Sequence, residues 1–120
     1  MQFQAQRRGY AAEYPDAEPR IILADGEPIG RIFVHRTRGD IRLVDIAILP
    51  EWRNRGVGTA FLRELIAESE YTGRPLKLQV AKGNPAARLY ERLGFSKVSE
   101  DQVYIQMEQN PDLRIDERSL

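Results

Sequence analysis

Ile46-Ala47-Ile48-Leu49-Pro50-Glu51-Trp52-Arg53-Asn54-Arg55-Gly56-Val57-Gly58 is the stretch at which the period of the chain changes. Up to Leu49 it continues an apolar extended run, Ile41 to Leu49 (IRLVDIAIL), that Pro50 ends. From Val57 to Ser69 the apolar positions are Val57, Phe61, Leu62, Leu65 and Ile66, with Arg63, Glu64 and Glu68 between them, which is helical spacing. Thr72-Gly73 closes that helix. Gly56 and Gly58 therefore sit where a strand hands over to a helix. Lacking a β-carbon, they let the backbone turn sharply and approach a ligand closely. The first amides of a helix have no intrahelical partner, and the helix dipole adds partial positive charge there. The loop is thus suited to an anion, and Arg53 and Arg55 supply full charges able to bond phosphate oxygens. Two glycines also serve a bare strand-to-helix turn, so the loop alone establishes an anion site and nothing narrower.

Outward toward the N-terminus, Arg20 to Ala24 (RIILA) and Ile29 to Arg36 (IGRIFVHR) flank the turn signal Asp25-Gly26 and read as a hairpin. Arg38-Gly39-Asp40 turns the chain into the run that begins at Ile41. Toward the C-terminus, Leu76 to Ala81 (LKLQVA) alternates as a strand. Asn84-Pro85 starts a second helix, whose face is Ala86, Leu89, Tyr90 and Leu93 and whose stop is Gly94. Phe95 to Val98 and Val103 to Met107 read as a closing antiparallel pair. The order predicts an α/β (α+β) domain. Its mixed sheet is antiparallel through the first three strands, parallel across the strand–helix–strand step, and flanked by helices. One domain fills residues 1–120: a short helix and loop over 1–19, with Gln2 to Ala12 the helical part, a core over 20–108 and a polar tail over 109–120.

Composition removes several classes of function. The 18 basic and 18 acidic side chains cancel, and no basic and aromatic residues interleave, which argues against a nucleic-acid partner. With no cysteine and one histidine, His35, neither a thiolate nor a histidine metal site is expected. No apolar run approaches the ~20 residues of a membrane helix, and Met1 to Gln6 lacks the blocks of a signal peptide, so a cytoplasmic location is expected.

The loop is not a P-loop, because Thr59-Ala60 stands where Lys-Ser/Thr is needed, and Phe61 replaces the third small residue of a dinucleotide fingerprint. The chain resembles the GNAT superfamily of N-acetyltransferases in two separate places. Ile46 to Gly58 is similar to that family's strand, its Pro-x-x-Arg link and its Arg-x-x-Gly-x-Gly loop. Asn84-Pro85-Ala86-Ala87-Arg88-Leu89-Tyr90-Glu91-Arg92-Leu93-Gly94-Phe95 is similar to its Asn-x-x-Ala-x-x-Leu-Tyr-x-x-x-Gly-Phe segment. The resemblance covers roughly residues 20–108. It implies a sheet split at its centre, between the parallel strands, with acetyl-CoA in the split. It also implies that the pyrophosphate meets the amides of Arg55, Gly56, Val57, Gly58, Thr59 and Ala60, with Arg53 and Asn54 beside them. Pantetheine would pair with Ile46, Ala47 and Ile48 as an added strand, and Asn84, Ala87 and Arg88 would flank the cofactor from the second helix.

Acyl transfer to an amine needs a neutral nucleophile, a donor for the carbonyl oxygen and a proton for the departing thiolate. The resemblance makes Tyr90 the general acid, while helical spacing alone makes it a core aromatic. The oxyanion donor would be a backbone amide near Ile48. Family members often carry a glutamate base on the strand before the loop, and Arg42 stands at that position here. Asp45 is the acid within the strand, readable as a weak base candidate or as the buried partner of an arginine; Glu51 reads as exposed and His35 as structural. A full domain of the family has a further strand and two helices ahead of the hairpin, where about 19 residues precede Arg20 here. The open sheet side calls for a cover, either a second copy in a homodimer or more of a longer chain. Two functions stand at this point: an acetyl-CoA-dependent N-acetyltransferase acting on a primary amine of a small molecule or protein, and a non-catalytic CoA-binding or regulatory domain.

Overall fold

A computed structural model describes Tyr14 and residues 19–111, so the helix expected over Gln2 to Ala12 lies outside the described residues. Asp25-Gly26 makes the hairpin expected of it. Both residues have positive φ, 52° and 82°, as a two-residue turn matched to strand twist requires. Strand β1 (Arg20–Ala24) thereby runs antiparallel to β2 (Glu27–Arg36), Ala24 facing Glu27. β2 pairs antiparallel with β3 (Ile41–Ile48). The two strands close tightly at Gly30, where a Cβ would stand 2.3 Å from the Ala47 carbonyl oxygen. After β3 come a 3₁₀ turn (Pro50–Trp52), helix α1 (Val57–Thr72) and β4 (Leu76–Ala81). Helix α2 (Ala86–Arg92) and the hairpin of β5 (Ser96–Glu100) and β6 (Tyr104–Gln109) complete the order.

The described strands form one six-stranded sheet in the order β1-β2-β3-β4-β6-β5, parallel between β3 and β4 and antiparallel elsewhere. This is the mixed sheet with helices that the periodicity predicts. Boundaries shift by one or two residues: β2 begins at Glu27 rather than Ile29, β5 runs Ser96–Glu100 rather than Phe95 to Val98, and β6 runs Tyr104–Gln109 rather than Val103 to Met107. Gln109, read as the start of a polar tail, ends β6 opposite Leu76, is buried, and donates its side-chain amide to the Leu93 carbonyl. Polarity misplaces it because a buried amide with a backbone acceptor is tolerated in a core.

The split arises from one extra residue. β3 and β4 pair at Ile41–Leu76, Arg42–Lys77 and Leu43–Leu78 and at no later position. On the other side of β3, Val34 faces Leu43 but Phe33 faces Asp45, so Val44 is an inserted residue, a β-bulge. A bulge bends its strand and ends pairing. β3 therefore leaves β4 one residue beyond their last contact, and Val44 to Ile48 edge a gap in the middle of the sheet.

One face of the sheet carries the core. Ile22, Ile32, Ile41, Leu43, Leu76, Leu78, Val80 and Met107 are buried against Leu62 and Leu65 of α1 and Tyr90 and Phe95 at α2. Each such side chain contributes about 1.5–3 kcal/mol of burial. The segment ending in Gly-Phe has its own local logic. Gly94, at φ 102°, donates its amide to Glu91, and the Phe95 amide reaches back to the Tyr90 carbonyl. The two rings then meet edge to face at 5.7 Å. This is a Schellman stop with its hydrophobic contact, and it fixes where Tyr90 sits.

Candidate functional site

The loop between β3 and α1 is shaped by two left-handed residues, Asn54 at φ 63° and Gly56 at φ 82°. Gly56 is the N-cap of α1, and the first intrahelical bond runs from the Ala60 amide to its carbonyl at 3.0 Å. The amides of Val57, Gly58 and Thr59 precede that bond, and the first turn holds no acidic side chain to take them up. Partial positive charge thus stays open at this end of the helix. A Cβ built on Gly58 meets nothing within 4 Å, so neither backbone angle nor packing demands glycine there. The open space over Gly58 is the room a phosphate needs to reach the amides, and in that respect the loop fits acetyl-CoA.

The arginines of the loop are placed differently from one another. Arg53 Nε donates to the Ile48 carbonyl at 2.9 Å, tying the loop to the end of β3, and its Nη groups stay outside any hydrogen bond among the described residues. The Arg55 guanidinium lies 4.7 Å over the Trp52 ring, a cation–π contact that holds it at the loop surface. Asn84 Oδ1 accepts the Ala86 amide at 2.9 Å and so caps α2 with Pro85 as the first helical-conformation residue. Asn84 and Arg88 are exposed there. Ala87 packs with Ile46, Ile48 and Val57 against the cluster that contains Tyr90. The β3 edge, the loop and the inner face of α2 thus converge, whereas no described hydrogen bond or ion pair joins Asn84 or Arg88 to the loop.

Tyr90 is buried, and its hydroxyl is pushed above the ordinary phenol range, first by burial and second by the negative charge of Asp45. It therefore holds its proton at neutral pH. Asp45 Oδ2 accepts Arg31 Nε at 2.7 Å, with the two side chains 17% and 5% exposed. Asp45 is thus a half-buried partner of an arginine, although it also faces a cleft of about 360 Å³ lined by Tyr14, Arg42, Leu43, Val44, Gln79 and Tyr104. Glu51 is exposed. His35 lies half-buried with its ring 4.9 Å from that of Tyr14. Sequence reasoning treated Arg42 only as a departure from the family pattern. Arg42 lies in the cleft beside Gln79 and Tyr104, and it shares a face with Asp45 because of the Val44 bulge, which is set by the register between β2 and β3.

Among the described residues no group of acidic, histidine or cysteine side chains could hold a metal ion. No helix there is long and apolar enough to cross a membrane.

Comparison with known proteins agrees with this geometry. The acetyltransferase (GNAT) domain family matches residues 17–97. The chain is 34% identical over 84 residues to a mycothiol acetyltransferase of Nocardiopsis dassonvillei, covering 68% of this chain and 22% of that one. It is 32% identical over 78 residues to a [ribosomal protein bS18]-alanine N-acetyltransferase of Haemophilus influenzae, covering 64% of this chain and 53% of the other. It therefore spans about a fifth and about half of the length of these two relatives. Among solved structures, the ribosomal-protein-S18-alanine N-acetyltransferase of Escherichia coli superposes with a TM-score of 0.72 at 25% identity, over 86% of this chain and 75% of that one. A GNAT family acetyltransferase from Elizabethkingia anophelis with acetyl-CoA bound gives a TM-score of 0.72 over 86% and 82% of the two chains, at 14% identity, a likeness of fold alone. A sheet split by one bulge beside an open helix N-terminus, and a family match over more than half its length, lead to one statement: the chain belongs to the GNAT acetyltransferase family.

Proposed function

We propose that the chain transfers an acetyl group from acetyl-CoA to a primary amine of a small molecule or protein. The observation that supports this reading is the split at Val44 beside the open amides of α1, with Ile46, Ile48 and Val57 packed against the cluster that contains Tyr90. Acetyl-CoA brings an activated thioester, and the chain's own groups hold and discharge it. The amides of Val57, Gly58 and Thr59 and the free Nη groups of Arg53 bind the pyrophosphate, while the freed edge of β3 at Ile46 to Ile48 orients the pantetheine arm. A backbone amide near Ile48 stabilises the carbonyl oxygen as charge develops. The amine nitrogen forms a bond to the carbonyl carbon as the carbon–sulfur bond breaks. The Tyr90 hydroxyl gives its proton to the departing sulfur, and the proton lost by the amine passes to solvent and returns to Tyr90. Related chains named for mycothiol and for a ribosomal protein's alanine frame the two acceptor classes, small molecule and protein α-amine.

Thiol release over a panel of amines tests the transfer. Tyr90→Phe is expected to lower kcat by about a hundredfold or more, the usual contribution of a positioned acid, and to leave acetyl-CoA affinity nearly unchanged. A parallel loss of affinity and fold would make Tyr90 a core aromatic only. The engagement of Asp45 by Arg31 favours a second reading, a non-catalytic CoA-binding or regulatory domain, because it occupies the acid of β3. Tight acetyl-CoA binding with no thiol release from any amine would select that reading.

A further inference from the structure

We infer that Arg42 selects the acceptor, and that the amine entering the cleft beside the split also carries a carboxylate, which the Arg42 guanidinium receives. The inference rests on the transferase reading above and narrows its substrate class.

Arg42 and Asp45 are three residues apart and in a regular strand would point to opposite faces. The Val44 bulge cancels one residue of that offset. Arg42 faces His35 and Asp45 faces Phe33, so the two now share a face and line the same cleft. At about 360 Å³ that cleft is of small-ligand size. Among the described residues its charges do not balance. Asp45 is engaged by Arg31 at 2.7 Å. Arg42 is half-buried, and its single described hydrogen bond runs from Nη2 to Gln106 Oε1 at 3.2 Å. Gln106 in turn donates Nε2 to Gln79 Oε1 at 2.8 Å. Two neutral amides thus hold the guanidinium in place without neutralising it. Asp40 feels the Arg42 charge, but its carboxylate is taken by Lys77 Nζ at 3.3 Å and Thr37 Oγ1 at 2.9 Å. Among the described residues no carboxylate comes within ion-pair distance of Arg42. The remaining walls are the aromatic Tyr14 and Tyr104 and the apolar Leu43 and Val44.

A half-buried cation held by neutral amides and open to a cleft is a site for an anion, and the planar guanidinium fork matches a carboxylate. Strand rise puts Arg42 within about 10 Å of Asp45 and the mouth of the split. The acceptor chemistry is therefore an amine with a carboxylate no more than about 10 Å away. A free amino acid and a peptide N-terminus followed by an acidic residue both supply it.

Acetylation of two matched pairs tests this: β-alanine against β-alaninamide, and alanyl-glutamyl-alaninamide against alanyl-glutaminyl-alaninamide. The wild-type chain is expected to prefer the charged member of at least one pair by about tenfold to a hundredfold in kcat/KM, the range of a charge-assisted hydrogen bond. The pair that shows the preference tells free amino acid from peptide. Arg42→Gln should bring that ratio close to one. Arg42→Lys, which keeps the charge and loses the fork, should retain part of it. A wild-type ratio near one in both pairs, or a ratio that survives Arg42→Gln, overturns the inference. If no acceptor releases thiol, the transferase reading fails, and calorimetry of the same four compounds with CoA present decides the Arg42 site separately. A preference for the charged member that Arg42→Gln removes supports it, and equal or absent binding overturns it.

Discussion

Gly56 and Gly58 are two residues apart, yet a methyl group at each meets a different fate. Gly56 stands at φ 82°, where an L side chain is strained, and Gly56→Ala is expected to cost about 1–2 kcal/mol of stability. Gly58 has an unstrained φ and open space around its missing Cβ. Gly58→Ala should therefore raise stability by up to about 1 kcal/mol, alanine being the better helix former. The same methyl group would stand in the phosphate's place and weaken acetyl-CoA binding by about tenfold or more. Thermal melts paired with titration of each variant check both halves. A Gly58→Ala chain that binds acetyl-CoA as well as the wild type would reduce Gly58 to a turn residue. Tyr90 yields a pH signature at the same scale. It must hold its proton to deliver it, and burial together with Asp45 raises its pKa above the ordinary 10.0. Loss of rate through its ionisation therefore falls above pH 10, later than for a free phenol; the wild-type kcat–pH profile should show that limb, and the Tyr90→Phe profile, lower throughout, should lack it.

Between elements, the clearest attachment outside the core is the ion network joining α1 to β2. Arg36 reaches Glu68 through Nε at 2.6 Å and Nη2 at 2.8 Å, and Arg74 approaches the same carboxylate at 3.4 Å while bonding the Thr37 carbonyl. The Arg36 hydrogen bond, outweighing the opposing effect of burial, holds the Glu68 carboxyl below its usual 4.5. A depressed folded-state pKa means a contribution present above the unfolded value and lost as pH falls through the folded one. Glu68→Gln is thus expected to destabilise the chain at pH 7 and to match the wild type once pH lies well below 4.5, as urea midpoints at the two pH values would show. Because Arg36 is 46% exposed and Glu68 26%, the loss at pH 7 should be no more than about 1 kcal/mol and should shrink with salt. Most elements were legible in the sequence because their signals are local: Asp25-Gly26 for the hairpin, the Val57 to Ile66 spacing for α1, Asn84-Pro85 and Gly94 for the ends of α2. The Val44 bulge was not, since it exists only in the register between β2 and β3, and the run Ile41 to Ile48 reads the same with or without it. An arginine partner was one of the two readings of Asp45, but that the arginine is Arg31, 14 residues away, was hidden for the same reason.

For the whole molecule, the sheet order follows from a few short-range signals and the parallel step, and the family match over residues 17–97 spans it from β1 through α2. The shape of the loop from Arg53 to Gly58 was legible because a left-handed glycine and unpaired first-turn amides belong to a glycine-bearing helix start. The cleft beside Arg42 was not, because it is assembled from β3, β4, β6 and Tyr14, which share a cleft only once β3 has bent. The central claim is that acetyl-CoA lies in the split with its pyrophosphate on the first turn of α1. Isothermal titration of the wild-type chain and of Gly58→Ala with acetyl-CoA tests it most directly. One-to-one binding in the micromolar range, weakened in the variant without loss of stability, is the predicted result. Absence of binding by the folded wild-type chain, or binding indifferent to the methyl group at Gly58, would contradict it.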